Sequence, residues 1–296
     1  MNIPAGCNQV PETLIPVFYS EKMVANITSF SPSAGKPCEV VKSWLDLGMP
    51  IQVIEPTPVT PEQFYLAHDR RYVDGVLSLQ IPNGFGNTSK EVASTLPWTS
   101  GAMLSAAREA LKNGAVAVAP ASGYHHACYD FGTAYCSFNG LMVTACVLLS
   151  EGSVKRIGIC DLDQHFGDGT AEIIEVLRLE QVVLHYSAGE KWHKRSQAKS
   201  FLKILPSIVE AFAECDVLLY QAGADPHIDD PLGGWMTTGQ LAERDSIVFQ
   251  TAKRIGLPVS WCLAGGYQSP LRKVLDIHDN TLLACVHAYV GAWKRG

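Results

Sequence analysis

The amino-acid sequence predicts an α/β fold with a mostly parallel, multi-stranded sheet, and three observations carry the prediction. Short apolar runs alternate with amphipathic segments along the chain, as strands alternate with the helices that connect them. Several of those runs end in clusters of glycine and polar residues, and ligands of open α/β sheets bind at the carboxyl ends of strands. No Pro/Gly/Ser-rich linker, charge block or internal repeat divides the 296 residues. They read as one domain, with 1–12 an irregular lead-in.

Each element has a local reason. Residues 14–19 (LIPVFY) form a first strand, expected at a sheet edge because Pro16 cannot donate to a ladder. Pro37 sits in the first turn of a helix over 38–47, and 51–54 make a second strand. Pro61 opens another helix, and Asp69 caps 70–79, where Tyr72, Val73, Val76 and Leu77 keep helical spacing. The turn-rich loop 82–88 (PNGFGNT) presents Phe85 as the rim of a site. Ala-rich 99–113 is helical, Gly114 stops it, and 115–119 is a small-residue strand. A helix over 140–151 precedes a buried strand at 156–160, and a helix over 171–179 follows. Strands at 181–185, 216–220 and 258–263 are separated by helices over 195–214 and from Thr237 or Thr238 to 255. Helical segments to Trp293 close the chain.

The most informative stretch is 157–170, IGICDLDQHFGDGT. Alternate side chains of an extended chain share a face, so Asp161, Asp163 and His165 point together while Leu162 and Gln164 point away. Carboxylates and an imidazole are ordinary zinc donors, and a catalytic zinc keeps one position open for water. A second stretch, 122–139 (SGYHHACYDFGTAYCSFN), places His125 and His126 side by side at a strand end, where buried imidazoles require partners. Asp225 follows the strand 216–220 and is placed to close a metal site. Tyr267 follows Gly265 and Gly266 at the end of the last strand, poised to present its hydroxyl.

Composition narrows the function classes. Hydrophobic content of 47% against 18% charged residues describes a well-buried globular enzyme. A net charge of −6 argues against a nucleic-acid partner, which calls for a basic face. Nine scattered cysteines without a C-x-x-C pair indicate a reduced, cytoplasmic protein, and no apolar run is long enough to span a membrane.

The four stretches DLDQHFGDGT, SGYHHACYDFGTAYCSFN, QAGADPHIDDPLGG and LAGGYQ occur in the order seen in the histone deacetylase superfamily, which the chain resembles from about residue 14 onward. The RD in AERDSIV (242–248) is most similar to the class IV branch and small bacterial deacetylase-like proteins. The resemblance implies the arginase/deacetylase fold, with helices on both faces of the sheet. It also implies a zinc-dependent amidohydrolase that removes acetyl or longer acyl groups from a lysine, polyamine or small amide by attack of metal-bound water. Ferrous iron is the alternative metal. By position, the ligands are Asp163, His165 and Asp225. His125 pairs with Asp161 and His126 with Asp168, His126 being the general base and later acid. Tyr267 polarises the carbonyl, and Phe85, Tyr135, Cys136, Gly265 and Gly266 line the substrate pocket. A potassium ion near Asp161 is a further expectation of the resemblance.

Three positions depart from the family pattern. Phe166 stands for a second histidine, Val183 for a serine that helps bind the monovalent cation, and Ala264 for the first of three glycines. Two rival functions compete with the deacylase. A binuclear manganese ureohydrolase of the same fold needs additional bridging carboxylates, and a non-catalytic acyl-ligand sensor has no use for a proton shuttle.

Overall fold

The structure, a computed structural model, describes residues 13–293; the expected lead-in at 1–12, and Cys7 within it, lie outside the described residues. In chain order the strands and helices are β1 (Ile15–Phe18), α1 (Lys36–Asp46), β2 (Ile51–Ile54), α2 (Pro61–Phe64), α3 (Arg70–Leu77) and α4 (Lys90–Asn113). There follow β3 (Val116–Ala119), α5 (Gly140–Ser150), β4 (Ile157–Asp161), α6 (Asp168–Leu177) and β5 (Val183–Ser187). The chain closes with α7 (Ala198–Glu210), β6 (Val217–Gln221), α8 (Thr238–Arg254), β7 (Val259–Cys262) and α9 (Arg272–Tyr289).

The strands form one seven-stranded sheet in the order β2-β1-β3-β7-β6-β4-β5, with every pairing parallel. Strand alternation divides the core. Leu218 and Tyr220 of β6 face a cluster shared with Trp44 of α1, Phe201 of α7 and Phe249 of α8. Val217 and Leu219 face the opposite cluster, with Met103 of α4, Leu141 of α5 and Ile173 of α6. A sheet buried on both faces explains why its strands read as near-continuous apolar runs.

Several elements differ from the sequence expectation, among them α6, which begins three residues before its expected start, at Asp168. β1 is not an edge strand, since it lies between β2 and β3. The N–H groups of Ile15 and Tyr19 donate toward the β2 side, so the missing Pro16 donor faces β3, where pairing is confined to Val17 opposite Val118. α4 begins nine residues before the expected start, capped by Ser89, and runs through Pro97. A mid-helix proline costs about 3 kcal/mol, and the buried face from Val92 through Leu96 to Met103 offsets it. β5 is shifted two residues toward the carboxyl terminus, and α7 is shorter than expected at both ends. Among the described residues, no helix is long and apolar enough to cross a membrane, and the eight described cysteines are free.

Candidate active site

The sheet order makes β3, β7, β6 and β4 consecutive neighbours, so the loops leaving their carboxyl ends meet. The histidine pair follows β3, Tyr267 follows β7, Asp225 follows β6, and Asp163 and His165 follow β4. Together His125, His126, Tyr135, Cys136, Asp163 and Tyr267 line a narrow cavity of about 20 Å³. A larger apolar groove of about 770 Å³ lies elsewhere, between α6, α7 and edge strand β5, and contains none of these side chains.

Asp163, His165 and Asp225 each offer a donor atom, all within 4.8 Å of one another. His165 Nδ1 lies 3.2 Å from Asp163 Oδ1 and 3.1 Å from Asp225 Oδ2. Donors at about 2.0–2.1 Å from a tetrahedral ion stand roughly 3.3 Å apart, so this set fits a divalent metal. The remaining carboxylate lone pairs are satisfied by backbone. Gly265 N–H donates to Asp163 Oδ2 at 2.9 Å, and Gln164 N–H donates to Asp225 Oδ1 at 3.1 Å. Gly265 must be glycine, because a Cβ there would collide with the carboxylates of Asp225 and Asp163.

Electrostatics without the ion describe a crowded acidic nest. Burial, then the Asp163 charge, push Asp225 up to about 7. Burial works the same way on Asp163, but the positive charges of His125 and His165 hold it below the usual carboxylate range. Hydrogen bonds to Asp163 and Asp225 raise His165 to about 10. A divalent ion held by these three groups would relieve this arrangement by replacing the shared protons.

The paired histidines have one carboxylate each. His125 Nδ1–H donates to Asp161 Oδ2 at 2.8 Å, and His126 Nδ1–H to Asp168 Oδ1 at 2.6 Å. Asp161 also accepts from Asp163 N–H and from the Gln221 amide, each at 3.1 Å. It therefore supports the nest and does not join the donor triad, unlike the face-sharing reading of 161, 163 and 165. Asp168 is the first residue of α6, so its carboxylate also favours the helix start. The two rings lie 4.0 Å apart and diverge in charge preference. Burial disfavours charge on His125, but Asp161 and Asp163 outweigh it and raise its pKa to about 9. For His126, burial and then the neighbouring His125 charge lower the pKa below its ordinary value.

Tyr267 closes the other side. Its N–H donates to Asp230 Oδ2 at 2.8 Å, and its ring stacks on Phe30 at 5.9 Å and approaches Tyr135 at 6.2 Å. Burial, then the Asp225 and Asp163 charges, raise its hydroxyl pKa, so it is a donor at neutral pH. Ala134 and Tyr135 both take left-handed backbone, with φ of 47° and 66°. Phe85 is not among the cavity-lining residues; its ring packs edge-on against Tyr135 at 5.5 Å and reaches the site only through it. Near Asp161 the hydroxyl belongs to Ser187, which stands opposite Asp161 in the β4–β5 register and accepts from Gly167 N–H at 3.1 Å. Val183 lies at the far end of that strand.

Sequence reasoning missed Lys36, Asp230, Phe30 and Gln221. Lys36 is buried at the start of α1, lines the cavity and donates from Nζ to the Ala264 carbonyl. Burial lowers its pKa to about 8 against the pull of Asp225 and Asp163. No local signal in SAGKPC marks it; a lysine before a helix-starting proline reads as exposed.

The solved structure of the HDA15 HD domain superposes with a TM-score of 0.77 at 19% identity, covering 94% of this chain and 91% of that one. An uncharacterized protein of Picosynechococcus is 28% identical over 263 residues, 77% of this chain and 86% of the relative. Acetylpolyamine amidohydrolase 2 of Pseudomonas aeruginosa is 27% identical over 175 residues, 48% of each chain. The chain spans about half the length of this and other curated deacetylase relatives. The histone deacetylase domain family matches residues 37–191 and 178–282, a span that contains the donor triad, both histidines and Tyr267. The chain belongs to the histone deacetylase domain family.

Proposed function

We propose that this chain forms one catalytic unit, a zinc-dependent amidohydrolase that removes an acyl group from a lysine, polyamine or related amine. The observation that carries the reading is the meeting of two carboxylate-backed histidines and a tyrosine donor in one cavity with Asp163, a member of a three-donor metal set completed by His165 and Asp225. Among the described residues that set is the only group of three metal-competent side chains, which supports a single ion over the binuclear ureohydrolase reading. The amine class follows from similarity to an acetylpolyamine amidohydrolase together with the family match.

Asp163, His165 and Asp225 would hold the zinc, which when bound would supply Lewis-acid polarisation of the amide carbonyl and a lowered pKa for water. The remaining work belongs to the chain. His126, with Nδ1–H directed at Asp168, has Nε2 as its basic nitrogen and is neutral at pH 7, so it accepts the proton of the attacking water. The same nitrogen then delivers that proton to the departing amine. His125 is held charged by Asp161 and stabilises the negative charge that develops during attack. Tyr267 O–H donates to the developing oxyanion. Tyr135 walls the narrow cavity.

The test is amide hydrolysis by the zinc-loaded protein on peptides carrying acetyl to myristoyl groups on lysine, alongside acetylated polyamines. Turnover that is lost in Tyr267→Phe and His126→Ala supports the mechanism. Zinc-loaded protein without turnover on the whole panel would sink it in favour of an acyl-ligand sensor.

A further inference from the structure

The RD of segment 242–248 has no part in the chemistry above. Arg244 is fully buried on α8. Its Nη1 donates to the carbonyl oxygens of Leu162 at 3.0 Å and Gly223 at 2.7 Å, and its Nε to Asp245 Oδ1 at 2.8 Å. Leu162 immediately precedes Asp163, and Gly223 lies two residues before Asp225. β4 and β6 pair in register as far as Asp161 opposite Gln221, and Leu162 N–H donates to the Gln221 carbonyl at 3.0 Å. Beyond that rung the ladder ends and both segments become loops.

We propose that Arg244 is a positioning residue for the metal centre: its Nη1 continues the β4–β6 ladder past the strand ends and sets the separation of the Asp163 and Asp225 carboxylates. The inference rests on reading those carboxylates as metal donors. Arginine suits the task because its fork holds two directions at a fixed spacing. One arm grips the two carbonyls while Nε is anchored on Asp245. Asp245 is itself fixed by the hydroxyls of Tyr220 on β6 and Thr281 on α9, the latter at 2.6 Å. Arg244 Nη2 has no partner among the described residues. A guanidinium buried with one nitrogen unsatisfied is costly, so the carbonyls and Asp245 dictate its placement. Partners outside the first ligand layer orient such ligands, and their loss weakens metal binding roughly 10–100-fold.

Zn²⁺ affinity, measured by chelator competition, and the visible spectrum with Co²⁺ test this in wild type, in Arg244→Lys, and in the double variant Arg244→Met with Asp245→Asn, which buries no unpaired charge. The double variant is expected to bind Zn²⁺ roughly 10–100-fold more weakly, with a changed Co²⁺ spectrum, and Arg244→Lys to recover part of the loss. Melting of the metal-free proteins is recorded separately. A lower metal-free melting temperature with wild-type affinity and spectrum would mean a structural role only, and overturns the proposal. If the double variant does not fold, Arg244→Lys decides: wild-type affinity and spectrum overturn the proposal, while weaker binding supports it. Wild type that binds no Zn²⁺ overturns the metal reading and the brace with it.

Discussion

His126 and His125 are chemically identical side chains that their surroundings push in opposite directions, and that division determines how activity follows pH. His126 acts as a base only when neutral, and burial with the adjacent His125 charge lowers its pKa below the ordinary 6.5. Because the neutral form prevails above the pKa, kcat/KM is expected to hold at pH 7 and to fall on an acid limb below 6.5. The Asp168 hydrogen bond raises the His126 pKa against those effects. Asp168→Asn therefore moves the acid limb to still lower pH while reducing the rate at neutrality, measurable in a pH–rate profile. Tyr267→Phe removes one oxyanion donor and should lower kcat by roughly 10²–10³, with KM little changed. A raised KM with kcat unchanged would place Tyr267 in binding instead.

The β7–α9 connection carries both a close backbone approach to the donors and a strained residue. Gly265 has no room for a methyl group beside Asp225 and Asp163, whereas Gly239 at the start of α8 faces open space. Gly265→Ala is expected to abolish high-affinity metal binding, and Gly239→Ala to leave it unchanged; equilibrium titration with Zn²⁺ separates the two. Ala264 takes φ 53°, the left-handed region in which a side chain costs about 1–2 kcal/mol. Ala264→Gly relieves that cost but adds freedom to the unfolded chain, worth about 0.4–1 kcal/mol. Stability in denaturant should then rise by between about 0 and 1.6 kcal/mol.

At the scale of the whole molecule, the metal nest couples binding to folding. Without the ion, Asp225 has a folded pKa raised from 3.8 to about 7, so the folded state keeps a proton that the unfolded state releases. Stability of the metal-free protein is therefore expected to fall as pH rises between those values. Asp225→Asn should raise the melting temperature of the metal-free protein at pH 8, because it removes a buried like charge. It should also erase the gain on adding Zn²⁺, which for wild type is about 2.7 kcal/mol at a free concentration one hundred times Kd. A wild-type melting temperature insensitive to Zn²⁺ would contradict the nest as a metal site.

The sequence by itself determined the α/β alternation, the strand ends that carry polar clusters, and the identity of the residues found there. Asp163, His165, His125, His126 and Tyr267 were legible because strand alternation and glycine turns are local properties, and adjacent buried histidines demand partners. Tertiary structure alone decided which strand ends meet. The order β3-β7-β6-β4 is set by how helices cover the two faces, not by any single segment. It also decided that β1 is internal despite Pro16, that α4 continues through Pro97, and that Phe85 reaches the site only through Tyr135. Lys36, Asp230 and Arg244 became visible only in the fold, because each acts through backbone groups distant in sequence, and a contact with a carbonyl or an N–H leaves no trace in residue type.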